Sequence, residues 1–364
     1  MTITDRVLMG PGPCNPYPEV LASMTRPVLG HLDPEFIALL DETNERLRLV
    51  FGTTNALTFP LSGTGSAGME AAIVNFAGPG DTVVIGVNGV FGIRMCDVAE
   101  RSGATVVRVD HEWGHPIDVD RMLDAHPNPT ILAVVHAETS TGALSPLGDL
   151  GARKGDALFL ADCVTSLGGT DTALDANGVD IAYSGTQKCI GVPPGLSPMS
   201  ISPRALERMR PKPQSWYLDL NMIANYVTGT GGRAYHHTAP ISMIYALHAG
   251  LGTILDEGLA ETRERHVRCG QMLQDGLEKL GLELFAAPGS RLPQLTSVWV
   301  PESRLPPGMT EADVRQQLLE RFGLEIGGGL GEYAGKVWRI GCMGHTARER
   351  NVILFLSALQ EVLK

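Results

Sequence analysis

The amino-acid sequence predicts an α/β fold: a large domain on a mostly parallel sheet, then a smaller C-terminal α+β domain. Three observations predict it. Strand-length apolar runs recur at 56–61, 82–87, 105–109, 131–136, 157–162 and 181–184. Helical stretches separate them; in 66–76, Met69, Ile73 and Phe76 fall at i, i+4 and i+7 and share one face. Past residue 257 the order of patterns changes. Buried strands alternating with helices form a parallel sheet covered on both faces, and such sheets bind ligands beyond the carboxyl ends of their strands.

The first element is an arm, 1–20, in which Gly10-Pro-Gly-Pro-Cys-Asn-Pro16 holds too much proline for a helix or a central strand. The large domain spans 21–257. The small domain, 258–364, opens with a helix carrying Leu273, Leu277 and Leu280 on one side and continues to a strand at 295–300. In the next helix Thr310 is the cap, Asp313 answers it, Val314, Leu318 and Phe322 face inward, and Gly323 is the stop. Strands at 324–326 and 337–340 and a helix over 348–363 complete the domain.

Composition excludes several classes. Against 40 acidic residues stand 29 basic ones, a net charge of −11, with no Lys/Arg cluster to meet the phosphates of a nucleic acid. The longest apolar runs are too short to span a membrane. Met1-Thr-Ile-Thr-Asp5 lacks a basic start followed by an apolar run, so no secretory signal is expected. Six cysteines lie scattered without metal-ligand spacing, as in reduced cytoplasmic proteins. The expectation is a soluble cytoplasmic protein without a metal, acting on small molecules.

Lys188 is one of six lysines and follows an apolar strand among small neighbours, Tyr183-Ser-Gly-Thr-Gln-Lys188-Cys-Ile-Gly191. The other five read as solvated. A partly dehydrated lysine loses basicity and becomes a usable amine nucleophile. One strand earlier, 157–162 ends in Asp162, at the end where ligands sit. A carboxylate there can keep a heteroaromatic nitrogen protonated through a charge-assisted hydrogen bond worth roughly 1.5–3 kcal/mol. Ser62-Gly-Thr64-Gly65-Ser66-Ala-Gly68 joins a strand to a helix, and glycines at a helix N-terminus admit a phosphate. Phe91 and the hydroxyl-rich turn His136-Ala-Glu-Thr139-Ser-Thr-Gly142 follow two further strands. Tyr235-His-His-Thr238 is no metal site, because adjacent histidines diverge. Arg339 lies inside an apolar strand; a buried arginine needs an anionic partner, and its fork suits a substrate carboxylate.

Together these segments resemble the class V, fold-type I aminotransferases that use pyridoxal 5′-phosphate, and within them the alanine–glyoxylate and serine–pyruvate aminotransferases. The resemblance runs nearly end to end; its most specific pieces are Tyr183-Ser-Gly-Thr-Gln-Lys188, Tyr235-His-His-Thr238 and Ile326-Gly-Gly-Gly-Leu-Gly331. It implies that Lys188 bonds to the cofactor and that Asp162 pairs with its ring nitrogen, making these two the catalytic residues. It implies Thr139 near the ring hydroxyl, Phe91 over the ring where close relatives carry tryptophan, Gly65, Ser66 and Gln187 at the phosphate, and Thr64 among the residues that bind the cofactor. Tyr235 and Thr238 would come from the neighbouring subunit, which makes the expected protein a homodimer. Arg339 would grip the substrate carboxylate, with Gly30 and His31 beside the substrate. The implied reaction moves the amino group of L-alanine or L-serine to glyoxylate.

Other readings stay open. Gly30-His31-Leu-Asp-Pro-Glu-Phe36 is also similar to the ureidoglycine–glyoxylate branch, which has glutamine at the His31 position and asparagine at that of Tyr235. A cysteine desulfurase-type lyase would use Cys342. Gly63, Gly65 and Gly68 literally spell the G-x-G-x-x-G of an NAD-linked oxidoreductase, but Asp81 precedes the next strand instead of ending it.

Overall fold

The computed structural model describes residues 4–229 and 233–364, so the first three residues of the expected arm lie outside it. Its main sheet contains β1 (Leu57–Ser62), β2 (Thr82–Val87), β3 (Thr105–Asp110), β4 (Ile131–Val135), β5 (Leu158–Asp162), β6 (Ile181–Tyr183) and β7 (Leu196–Ile201). Their order is β1-β7-β6-β5-β4-β2-β3. Strand β7 is antiparallel to both neighbours and every other adjacent pair is parallel. The carboxyl ends of β1 to β6 therefore open on one edge.

The six expected strands are present, each within one residue of its expected ends. Strand β7 is the one the sequence reading does not name. Pro198 at its centre argues against a central strand, because proline cannot donate to the ladder. Its register partner on edge strand β1 is Pro60, so this rung needs no N–H from either side. The Pro198 carbonyl still accepts from Ser184 N at 2.8 Å.

Helices cover the sheet. Helix α1 (Pro34–Phe51) starts where Asp33 accepts from Glu35 N at 2.8 Å and Pro34 presets the first turn, and it stops at Gly52 in the left-handed region. Helix α2 (Gly65–Val74) follows β1, α3 (Val90–Arg101) follows β2, and α4 (Ile241–Glu257) packs on α1. One cluster of buried side chains, from Tyr17 to Ile254, joins sheet and helices. Each fully buried Val, Leu, Ile or Phe contributes about 1.5–3 kcal/mol, so strands apolar on both faces must sit in this layer.

A second buried cluster comprises Met9 and residues from Cys269 to Val362. Around it lie α5 (Leu259–Lys279), α6 (Glu311–Phe322), α7 (Glu349–Val362), β8 (Leu295–Trp299) and β9 (Val337–Gly341). Thr310 and Asp313 form the expected reciprocal cap of α6, and Gly323 ends it. Strand alternation decides the place of Arg339: Trp338 and Ile340 enter the core, which turns Arg339 to the opposite face.

The arm bridges the two clusters. Val7–Leu8 runs parallel to Leu324–Glu325, and Gly341 N donates to Met9 O at 2.7 Å. Cys14 N then donates to Gln187 O at 3.0 Å. Among the described residues no helix is long and apolar enough to cross a membrane.

Candidate active site

At the carboxyl edge of the sheet, a cavity is lined by Thr64, Gly65, Ser66, Phe91, Thr139, Asp162, Gln187 and Lys188. All belong to the expected site. Asp162 is the last residue of β5 and is buried. Its Oδ1 accepts from Val164 N at 2.8 Å and its Oδ2 from the Tyr183 hydroxyl at 2.7 Å. Burial pushes its carboxyl up to about 6; these donors and Lys188 pull it down, and Glu138 adds to the rise. Tyr183 is a partner the sequence reading missed. The register of β5 on β6 sets Asp162 beside Tyr183, a relation that exists only once the strands pair.

Lys188 follows β6 and is 8% exposed. Burial and the charge of Arg339 lower its ammonium from 10.5 to about 8. Its Nζ donates to the carbonyl of Pro11, so the arm forms one wall of the site. Gly12 has a φ of 109°, and a Cβ there would stand 2.5 Å from Nζ; only glycine fits. Lys154, expected to be solvated, is instead half-buried and paired with Asp180 at 2.6 Å, far down the strands from this edge.

The opposite corner suits an anion. Helix α2 begins at Gly65 and the Thr64 side chain does not cap it, so its first-turn N–H groups and positive dipole end meet the cavity. Arg94 adds positive charge, with Nη1 3.4 Å from Ser66 Oγ and the guanidinium 4.8 Å from the Phe91 ring centre. Gln187 Oε1 is buried without a partner among the described residues.

Arg339 donates from Nε to Gly328 O at 2.7 Å and from Nη1 to Thr139 O at 3.1 Å. Both partners are neutral carbonyls, which leaves its charge for an anion. Burial lowers its pKa to about 10, and Glu138 acts against that. Glu138 is itself fully buried, and its oxygens collect donors from Ser140, Phe91 and Gly92. This network is invisible along the chain, because two of those partners lie nearly fifty residues away.

Four expected contacts do not line this cavity. The His31 ring packs 5.1 Å from that of Tyr235, which is 60% exposed, and Gly30 is exposed beside it. Thr238 lines a separate depression with Ser62, Gly63 and Ala67. All four lie outside the cavity, Thr238 beside the carboxyl end of β1 at Ser62. His236 and His237 bond to each other, to Trp216 O and to Ser62 Oγ, and no metal-binding group occurs among the described residues.

The family model described as aminotransferase class-V matches residues 15–330. The chain belongs to that family. This class V aminotransferase is 40% identical over its whole length to an alanine–glyoxylate aminotransferase of Callithrix jacchus, covering 89% of that protein. It is 37% identical to the (S)-ureidoglycine–glyoxylate transaminase of Bacillus subtilis, with 98% of this chain and 90% of that one covered. Among solved structures, an alanine–glyoxylate aminotransferase from Nostoc sp. superimposes with a TM-score of 0.95 at 46% identity, covering 100% of this chain and 97% of the other. Class V aminotransferases depend on pyridoxal 5′-phosphate, and this cavity fits it. A buried carboxylate suits the ring nitrogen, an amine of lowered basicity suits the aldehyde, and an uncapped helix start beside an arginine suits the phosphate.

Proposed function

We propose that this aminotransferase moves the amino group of L-alanine or L-serine to glyoxylate, releasing glycine and a 2-oxo acid. The observation that carries the reading is Arg339, buried in β9 and pinned by two carbonyls, with its charge left for the carboxylate common to both substrates. The names of the relatives support glyoxylate as acceptor.

The cofactor, when bound, supplies the electron sink that stabilises charge left at the donor's Cα. Asp162 keeps a proton on the ring nitrogen. Lys188 Nζ would hold the cofactor's aldehyde carbon and would serve as the base that takes the donor's Cα proton and gives it back. Phe91 and Thr139, which line the cavity, would hold the ring. Arg339 would hold the substrate carboxylate and so set the direction of the Cα–H bond.

The proposal includes a homodimer in which Tyr235 and Thr238 of one copy complete the phosphate corner of the other; their exposure in a single chain supports it. Six buried free cysteines support a cytoplasmic location. Two rival chemistries fit less well. Cys342 is fully buried and its thiol pushed far up by burial, unlike a mobile nucleophile. Asp81 binds Gly78 N and Arg210 at the amino end of β2, away from any ribose at the carboxyl edge.

The test is a substrate panel of alanine, serine and ureidoglycine against glyoxylate and pyruvate with purified holoenzyme. Preference for ureidoglycine over both amino acids would replace the proposed donors.

A further inference from the structure

Helix α3 carries Phe91 and Arg94 into the site, yet its N-cap position is Gly89, which has no side chain to satisfy the first N–H groups. They are satisfied from the turn that follows β4. Ser140 Oγ accepts from Val90 N at 2.9 Å and donates to Glu138 Oε1 at 2.5 Å. Glu138 Oε2 accepts from Phe91 N at 3.1 Å and from Gly92 N at 3.4 Å, while Oε1 also takes Ser140 N at 3.0 Å. A Cβ at Gly89 would run into the Glu138 carboxyl group and Ser140 Oγ, so glycine at the cap position makes room for this substitute cap.

We infer that Glu138 is a positioning residue that locks the helix bearing Phe91 to the loop bearing Thr139, and through the Thr139 carbonyl to Arg339. One carboxylate thereby fixes the ring face and the carboxylate grip relative to each other. Its negative charge, at the positive end of α3, also acts on Arg339 from behind. Three of its four donors are backbone N–H groups, which cannot reverse their polarity. An amide of the same size cannot serve them: its NH2 end would meet either Ser140 N or both helix N–H groups. The carboxylate is required as an acceptor on both sides. The substrate part of this role rests on the reading proposed above; the cofactor part rests on this chain's geometry and family alone.

The test compares wild type, Glu138→Gln, Ser140→Ala and the double variant. Amide hydrogen exchange on holoenzyme is read for the peptide spanning 89–94. The dissociation constant of pyridoxal 5′-phosphate is read from its absorbance, and KM and kcat from a saturating acceptor. Glu138→Gln is expected to speed exchange at 90–92 and raise the cofactor constant and donor KM roughly tenfold or more, with kcat within about threefold. Ser140→Ala acts in the same direction by less, and the double variant falls short of the sum of the two single effects, because Ser140 Oγ caps Val90 N itself and also donates to the carboxylate. A space-filling role predicts no change for Glu138→Gln, since volume is kept. Exchange and cofactor affinity within about twofold of wild type would overturn the inference. Should Glu138→Gln fail to fold, Ser140→Ala decides alone: exchange and affinity both unchanged would also overturn it. A wild type inactive on alanine and serine strikes the proposed donors, while the exchange and cofactor results still judge Glu138.

Discussion

The Tyr183 hydroxyl and the Asp162 carboxylate, 2.7 Å apart, end two neighbouring parallel strands and hold each other in fixed register. The bond lowers the Asp162 pKa against a burial that pushes it up to about 6. Tyr183→Phe removes the donor, so the carboxylate protonates at higher pH. The acid limb of cofactor binding should move upward by about one pH unit, the size expected for losing a hydrogen bond to a charged group. An unmoved limb in a pH series of cofactor titrations would show that Tyr183 does not tune Asp162.

Lys188 carries a cost to folding. Burial penalises its ammonium, so the penalty is complete below the folded value of about 8 and fades as the pH approaches 10.5. Apo Lys188→Met should exceed apo wild type in stability by up to about 3 kcal/mol near neutral pH, with the gap closing in strong base. Denaturant melts across pH measure this; a wild type equally stable at neutrality contradicts it. Lys188→Ala should also abolish turnover and the borohydride-trapped cofactor adduct on the peptide containing residue 188.

Arg339→Lys should raise the donor KM roughly tenfold or more with a smaller change in kcat, because a point charge cannot replace a planar fork. Arg94 stands at the phosphate corner beside Ser66, so Arg94→Ala should weaken cofactor binding and spare the donor KM. Steady-state kinetics showing the reverse pattern would exchange the two roles.

If Tyr235 and Thr238 complete a partner's site, inactive variants should rescue each other. Mixing Lys188→Ala with Thr238→Ala subunits after dissociation should restore about a quarter of wild-type activity, since half the random dimers hold one intact site. Absence of any recovery in mixed dimers confirmed by mass would mean that each chain works alone.

The six forward strands and the helices of the small domain were legible because continuous apolar runs and a complete capping box are local signals. The strand Leu196–Ile201 was not, because Pro198 is tolerated there only through its pairing with Pro60. Lys188 and Asp162 were legible as residues placed at strand ends. Tyr183 and Pro11, which they bond, and Glu138, which bonds the helix start at Phe91, were not, since each becomes a neighbour only through strand register, the path of the arm, or a loop laid over a helix start.

By itself the order of residues determined that Asp162, Lys188 and the Thr64–Ser66 turn gather at one sheet edge, because hydrophobic period and strand polarity are written locally. Only the tertiary structure decided how those side chains are tuned. Basicity and aim depend on burial and on neighbours distant along the chain: the amine lowered to about 8 by burial and Arg339, the carboxyl raised to about 6 in its dry niche, and the arginine turned away from the Trp338 core.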